Sequence, residues 1–151
     1  METIQRRPAQ HSDIDTLLVM MERFYAIDGY PFAKEKTRVS LTEFLSDTDL
    51  GKIWLIIDGS REIGYIVLAV IYSFEFGGKN AFVDEFYLEP EYRGKGIGRQ
   101  VMDEVCAEAK LRGITALHLE VEHHNTAALN LYRRFRFNDH HRVLMTRMLN
   151  E

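Results

Sequence analysis

Three glycines at alternate positions, surrounded by cations, are the residues whose types and spacing most directly suggest chemistry. They lie in the stretch DEFYLEPEYRGKGIG, residues 84–98. The glycines are Gly94, Gly96 and Gly98, and the cations are Arg93, Lys95 and Arg99. Because glycine has no side chain, the backbone N–H groups of such a turn can approach an anion closely, and a following helix adds its positive dipole end. The pattern therefore predicts a phosphate-binding turn.

Two other phosphate motifs do not fit this chain. A dinucleotide fingerprint requires glycine at the position of Arg99. A P-loop around Gly78-Lys79 would require glycine in place of Ser73 and a hydroxyl residue in place of Asn80. What remains is the pattern R-x-x-G-x-G between a predicted strand and an amphipathic helix. A tight turn with solvated cations is the structural alternative, but a plain turn would not need the backbone entropy that three glycines cost.

The elements that must position this turn alternate along one continuous chain. Apolar periodicity predicts strands over 4–8, 52–57, 63–74, 81–89, 115–122 and 143–149, helices over 13–27, 34–45, 96–112 and 125–135, and a turn over 77–80. Hairpins followed by strand–helix–strand units indicate one α/β domain over 1–151. Its sheet would be mixed and mostly antiparallel, with about four flanking helices and with strands 81–89 and 115–122 as parallel neighbours.

Composition excludes several classes of protein. The apolar and charged fractions, 46% and 28%, are those of a globular domain rather than a disordered chain. No apolar run approaches the ~20 residues of a membrane span, and the first residues lack the apolar stretch of a secretory signal. Cys106 is the single cysteine, which excludes an internal disulfide and favours a cytoplasmic setting. The net charge of −4 disfavours nucleic acid as a partner.

Two stretches resemble the motifs of one enzyme family. The segment EPEYRGKGIGRQVM looks like the acetyl-coenzyme A binding motif of the GCN5-related N-acetyltransferases (GNAT). Residues 119–137, LEVEHHNTAALNLYRRFRF, resemble the N-x-x-A-x-x-L-Y-x-x-x-G-F segment of the same family, in the right order and at the right spacing. The order of elements agrees along nearly the whole chain. One departure is Arg136, where the family usually has a glycine that would cap a helix in the left-handed conformation.

The resemblance implies a fold, a cofactor and an activity. The fold would be GNAT-like, with the parallel strands splayed at the centre of the sheet, and the activity would be direct acetyl transfer from acetyl-CoA to an amine, without a metal. Pyrophosphate would lie on the glycine turn and pantetheine between strands 81–89 and 115–122. Family members often dimerise, so a homodimer is an expectation. The implied cofactor-binding residues are Phe86, Tyr87, Leu88, Arg93, Gly94, Lys95, Gly96, Ile97, Gly98, Arg99, Asn125, Ala128 and Tyr132.

Tyr132 is the candidate general acid. Direct transfer requires a proton for the departing thiolate, and a phenol is a suitable donor for it. Tyr132 lies seven residues after Asn125 on one predicted helix, so the two share a face. Asn125 would then hold the pantetheine while Tyr132 reaches the sulfur. The alternative is a tyrosine at a helix–sheet interface with its hydroxyl in solvent.

Two glutamates compete for the role of general base. Glu120 lies twelve residues before Tyr132, the spacing of base and acid in the ribosomal-protein N-terminal acetyltransferase branch of the family. Glu85 lies on the other strand, where alternation places it on one face with Val83 and Tyr87. Either could instead bind the cationic amine or be a solvated surface carboxylate. Backbone N–H groups over 86–88, freed by a bulge, would stabilise the oxyanion.

The acceptor must be recognised outside these motifs. The stretch FYAIDGYPF, residues 24–32, interleaves aromatic rings with an acidic residue and could form a pocket for a cationic amine. A turn packed by aromatic side chains is the alternative. The predicted substrate-binding residues are Tyr25, Asp28, Tyr30, Phe32 and, on another strand, Tyr72.

The sequence also leaves room for functions other than acetyl transfer. His118, Glu120 and Glu122 would share a strand face and are followed by His123 and His124, but no closed ligand set for a metal results. A binding module is the rival class: an acyl-CoA sensor would keep the glycine turn and lack turnover. Transfer of a longer acyl group is a third alternative. The acceptor is expected to be the primary amine of a small molecule or peptide.

Overall fold

The computed structural model describes residues 3–150 of the chain. Contacts between residues divide it into two compact units, one up to Glu120 and one from Val121 onward. That the chain folds as a single domain over 1–151 stays a prediction.

The first unit is an α/β fold with a five-stranded mixed sheet, as predicted. Strands follow the order β1-β2-β3-β4-β5, antiparallel except for the parallel pair β4 and β5. That pair lies at one end of the order rather than at its centre. The elements are β1 (Ile4–Pro8), α1 (Ile14–Ile27), α2 (Lys34–Ser46), β2 (Gly51–Asp58), β3 (Arg61–Ser73), β4 (Gly78–Leu88), α3 (Ile97–Leu111) and β5 (Leu117–His118), with short 3-10 turns at His11–Asp13 and Pro90–Tyr92.

Helix α1 packs on one face of the sheet and begins at a well-anchored residue. The Asp13 carboxylate accepts hydrogen bonds from the Gln10 backbone N–H at 2.7 Å and from both terminal nitrogens of Arg7. Deeply buried side chains of α1, including Leu17 and Leu18, lie against β2, β3 and β4. The core on this face consists of Ile14, Leu17, Leu18, Met20, Met21, Leu41, Ile53, Leu55, Tyr65, Val67 and Tyr87.

Helix α3 covers the opposite face. Alternation along the strands points a second set of buried side chains to that side, among them Trp54 and Ile66. Arg6 packs over the Trp54 ring and pairs with Glu104 of α3 at 3.2 Å. The helix was predicted by its apolar stripe, and Gly113 ends it in the left-handed conformation with φ of +73°.

A β-bulge in β4 redirects the strand at Asp84. Val83 pairs with Leu68 and Glu85 with the adjacent Val67, so Asp84 is the extra residue. Because neighbouring residues of β3 face opposite sides, Val83 and Glu85 do too. The prediction that they share a face was therefore wrong, whereas Glu85 and Tyr87 do share one. The bulge lies at Asp84, earlier than the residues 86–88 where the sequence predicted it.

Strand β5 is much shorter than predicted. Only Leu117 and His118 pair with β4, opposite Ala81 and Phe82, instead of the whole range 115–122. Pairing ends just before the bulge at Asp84, which bends β4 and interrupts its ladder. Beyond Phe82, β4 forms no ladder with residues 119–122. The β3–β4 turn also comes earlier than predicted, at residues 74–77, and residues 78–80 already belong to β4.

The second unit contains α4, Thr126–Arg134. Its start was predicted correctly: the Asn125 side-chain oxygen accepts a hydrogen bond from the Ala128 N–H at 3.1 Å. At its end Arg136 adopts the left-handed conformation itself, with φ of +65°. Hydrogen bonds from the Arg136 N–H to Arg133 and from the Phe137 N–H to Tyr132 complete a Schellman motif.

The predicted strand over 143–149 does not form. Residues 137–150 contain neither helix nor strand, and Val143, Met145 and Leu149 are exposed. Alternation of side chains cannot make a strand without a hydrogen-bonded neighbour, and these residues have no such ladder within the described chain. No helix within residues 3–150 has the length and apolar character needed to cross a membrane.

Candidate active site

The glycine turn lies between the end of β4 and the start of α3. Gly94 and Gly96 have φ of +71° and +82°, a conformation that glycine adopts without strain, and Gly96 is the residue at which α3 begins. A Cβ atom built on either glycine meets no heavy atom within 4 Å. Gly98 lies in the first turn of α3, whose leading N–H groups have no intrahelical acceptor. These backbone groups form a surface that a phosphate can approach.

The three cations of the turn differ in what they contact. Arg93 folds back, donating from Nε to the Leu88 carbonyl at 2.8 Å, with its guanidinium 5.5 Å from the centroid of the Tyr87 ring. Lys95 and Arg99 are exposed, Lys95 with its Nζ 5.7 Å from the Tyr92 ring. Arg93 therefore braces the turn, whereas Lys95 and Arg99 can supply charge to an anion.

Backbone amides at the end of β4 point away from β3, beyond the residues that pair with β5. The Glu89 N–H bonds to Ile63 of β3 at 2.8 Å, so by antiparallel alternation the amides of Phe86 and Leu88 point away from β3. The Leu88 carbonyl, bound by Arg93, faces the same way. Within the described chain, neither of these predicted oxyanion donors lies in the ladder with β5, which pairs only with Ala81 and Phe82.

Glu85 lies among aromatic side chains on the α1 side of the sheet. Its Oε1 accepts a hydrogen bond from the Tyr65 hydroxyl at 2.7 Å, and its Oε2 accepts one from the Tyr25 hydroxyl at 2.8 Å. Tyr25 makes an edge-to-face contact with Phe32, with ring centroids 5.3 Å apart. Phe24 contacts the rings of both Tyr25 and Tyr65. Two strands and one helix therefore fix the position of this carboxylate.

The surroundings of Glu85 raise its pKa above the ordinary value of 4.5. Burial is the largest cause, and the two tyrosine hydrogen bonds act in the opposite direction by stabilising the charged form. Burial and the nearby carboxylate also raise the pKa of Tyr25 and of Tyr65, which keeps both hydroxyls protonated as donors. A half-buried carboxylate with a raised pKa has the properties of a general base.

Glu120 is placed very differently. It lies two residues beyond β5 and is exposed. The structure thus puts the two predicted base candidates, Glu85 and Glu120, in contrasting environments.

The predicted acceptor residues are only partly brought together. Tyr25 and Phe32 contact each other beside Glu85, while Asp28 and Tyr30 lie exposed in the segment that joins α1 to α2. Tyr72 pairs with Lys79 at the far end of the β3–β4 hairpin. Seven residues of β3 separate it from Tyr65, roughly 23 Å of strand. Tyr72 is therefore remote from the Glu85 cluster.

The remaining predicted residues belong to the second unit. Asn125 caps α4 and Ala128 is the donor to that cap. Tyr132 lies on the same helix, with its ring 5.9 Å from that of Phe137. Burial raises the pKa of the Tyr132 hydroxyl to about 12. Its role as the acid remains a prediction.

The sequence-based prediction missed three residues around this face of β4, namely Tyr65, Glu89 and Arg23. Tyr65 is fully buried and binds Glu85, while Glu89 accepts hydrogen bonds from Arg23 and from Tyr87. The period-two spacing of Glu85, Tyr87 and Glu89 was a visible signal. No pattern in the sequence indicated their partners, since Tyr65 lies 20 residues away and Arg23 lies 66 residues from Glu89.

The His118 side chain contacts an asparagine and two phenylalanine rings. Its Nε2 lies 3.0 Å from the Asn80 side-chain oxygen, and its ring is 4.5 Å from that of Phe76 and 5.2 Å from that of Phe82. Over residues 3–150, no group of three or more potential ligands is arranged to hold a metal ion.

Curated proteins match part of this chain in sequence. Thialysine N-ε-acetyltransferase of Mus musculus is 36% identical over 75 residues, which cover 50% of this chain and 44% of that protein. The chain thus spans less than half the length of that protein and of its counterparts in Sus scrofa and Bos taurus.

Solved structures resemble almost the whole chain. An integron cassette protein from the mobile metagenome of Cole Harbour Salt Marsh is 33% identical with a TM-score of 0.85, covering 96% of this chain and 90% of that one. A "predicted acetyltransferase with acetyl-CoA" from Clostridium acetobutylicum has a TM-score of 0.82 at 21% identity, covering 99% of each chain, and shows the fold alone. The family model described as the acetyltransferase (GNAT) family matches residues 17–137. The chain therefore belongs to the GNAT acetyltransferase family.

Proposed function

We propose that this protein transfers an acetyl group from acetyl-CoA directly to a primary amine, with Glu85 as the general base. The observation that carries the proposal is the half-buried Glu85 carboxylate, held by two tyrosines on the strand that leads into the glycine turn. Membership of the GNAT family supports the reaction class. The amine acceptor and the acetyl-CoA donor are the parts that experiment must test.

The turn has the properties that a pyrophosphate group requires. Gly94 and Gly96 leave the backbone open to approach, and Lys95 and Arg99 add positive charge. The solved neighbour described with acetyl-CoA supports the same ligand for this chain. Bound acetyl-CoA would supply an activated thioester.

Glu85 would take a proton from the acceptor nitrogen. The amine then forms a C–N bond to the acetyl carbon as the C–S bond breaks, and the sulfur leaves with the electron pair and accepts a proton. The amides of Phe86 and Leu88 would stabilise the negative charge that develops on the acetyl oxygen. Because these amides belong to the strand that carries Glu85, one element would position both functions.

Tyr132 is the proposed proton donor to the sulfur. Its raised pKa of about 12 keeps the hydroxyl protonated at neutral pH. In this proposal the acetyl group passes directly from the thioester to the amine, so Cys106 does not carry it.

The acceptor is proposed to be a cationic amine on an aliphatic chain. Glu85 can attract an ammonium group, and the rings of Tyr25 and Phe32 beside it can contact methylene groups or the cation itself. The relatives named for thialysine, a small amine, support this class. A peptide N-terminus is the alternative acceptor.

The experiment is a thiol-release assay with acetyl-CoA against a panel of lysine analogues, polyamines, amino acids and peptides, combined with calorimetric titration of coenzyme A. We expect coenzyme A binding and turnover with one class of amine. Binding without any turnover would contradict the enzyme and favour an acyl-CoA sensor. Absence of binding would contradict the assignment of the glycine turn.

A further inference from the structure

We propose that Arg23 is a positioning residue for the cofactor turn, acting through Glu89; the inference rests on the proposed function. Arg23 lies on α1, and its Nη1 donates to Glu89 Oε1 at 2.5 Å. Glu89 is the residue between β4 and the short turn Pro90–Tyr92 that leads into the glycines. The contact therefore joins α1 to the point where the cofactor turn begins.

The Glu89 carboxylate needs a cation at this position. Glu89 is only 7% exposed, and its second oxygen, Oε2, accepts a hydrogen bond from the Tyr87 hydroxyl at 3.0 Å. Arg23 is the cation that pairs with it. A carboxylate removed from water and deprived of its cation is strongly destabilised and would move toward solvent. Such a movement would shift the residues that follow Glu89.

Arg93 braces the same junction from the other side. It binds the Leu88 carbonyl and packs over the ring of Tyr87, the same tyrosine that donates to Glu89. Leu88 and Glu89 are thus held by one arginine from the turn and one from α1. Because the Leu88 amide points away from β3 and is a proposed oxyanion donor, loss of either brace would affect both that amide and the glycine turn.

Tyr25 provides a contrast on the same helix. Two residues beyond Arg23, it binds Glu85 instead of Glu89 and lies beside Phe32. We therefore assign Arg23 to cofactor binding and Tyr25 to the acceptor side. This division predicts different kinetic effects for changes at the two positions.

The test measures the dissociation constant of coenzyme A and the KM of each substrate for R23A, R23K and the double variant R23A/E89Q. We expect R23A to weaken coenzyme A binding about tenfold, the loss of one charge-assisted contact, with the acceptor KM changed less than about twofold. R23K should restore most of the affinity. R23A/E89Q should bind better than R23A because no unpaired charge remains.

The matched control is R38A. Arg38 is also partly exposed and joins α1 to α2 through Asp15, away from the turn. R38A breaks an ion pair with the exposed Asp15, so it should lower thermal stability less than R23A does and should resemble the wild type in coenzyme A affinity. If the wild type binds coenzyme A and R23A binds equally well, or if R38A weakens binding as much as R23A does, the inference is wrong. If the wild type itself does not bind, the proposed function fails and this inference fails with it.

Discussion

Two glutamates, one on β4 and one beyond the end of β5, show how surroundings rather than sequence position decide chemical role. Glu85 is half-buried and receives hydrogen bonds from Tyr25 and Tyr65, and burial raises its pKa. Glu120 lies exposed beyond the end of β5. The bulge at Asp84 turns Glu85 toward α1, whereas no bulge or strand pairing involves Glu120 within residues 3–150. The comparison teaches that a candidate base must be judged by the groups that hold it.

The comparison predicts its largest effect for removal of the Glu85 carboxylate. E85Q keeps the shape of the side chain and removes its ability to accept a proton, so kcat/KM should fall by about 10²- to 10⁴-fold. E120Q is the matched control and should retain activity within about threefold, since an exposed charge contributes little. Steady-state thiol release by the two variants checks this. Equal losses in both would mean that the contrast in their surroundings has no catalytic meaning.

Cofactor binding should depend on the glycine turn that follows β4. G96A places a Cβ on the open side of the turn at φ of +82°, so coenzyme A affinity should fall about tenfold and the free energy of unfolding by about 1 kcal/mol. G113A is the control, because Gly113 has φ of +73° and an equally open Cβ position at the other end of α3. Calorimetry should show the same destabilisation in both variants and weaker binding only in G96A. Weaker binding in both would indicate a general effect of strain.

A smaller effect is expected when the Tyr25 hydroxyl, which binds Glu85, is removed in Y25F. The Tyr25 hydrogen bond lowers the pKa of Glu85, so Y25F should raise that pKa further. The glutamate would then be deprotonated only at higher pH, and activity in mildly acidic buffer should fall by about threefold. Y87F is the control because its hydroxyl binds Glu89 instead. The pH dependence of kcat/KM should move to higher pH in Y25F and stay in place in Y87F.

The smallest effect concerns the second unit and should leave the chemistry unchanged. Arg136 holds φ of +65° in the Schellman motif after α4, where glycine would have no Cβ to strain. R136G should therefore raise the free energy of unfolding by about 1 kcal/mol. R134G, at the last residue of α4, should lower it by a smaller amount because glycine disfavours the helical conformation. Denaturant titration compares the two, and a stabilising R134G would contradict this account.

Local signals in the sequence predicted most of the fold. The apolar stripe of α3, the Asn125 cap and the glycines of the turn each act over a few residues, so their patterns are visible in the chain. The resemblance to GNAT enzymes led to the family that the comparisons show.

What the sequence could not predict depends on partners distant in the chain. Alternation carries no mark of an extra residue, so the bulge at Asp84 and the true face of Glu85 were missed. The alternating residues 143–149 have strand character but no ladder, and most of 115–122 likewise lacks one. Tyr65 and Arg23 were missed because their contacts are with residues of or next to β4, far away in the chain.

The most direct test of the central claim is the ratio of kcat/KM of the wild type to that of E85Q, measured across pH. Taking a ratio cancels the titration of the acceptor amine, which both enzymes share. Since burial raises the pKa of Glu85 above 4.5, the account predicts a ratio that is large at neutral pH and falls as pH is lowered through that raised pKa. The same ratio for E120Q should stay near one and independent of pH. A flat ratio for E85Q, or a pH-dependent one for E120Q, would contradict the assignment of Glu85 as the base.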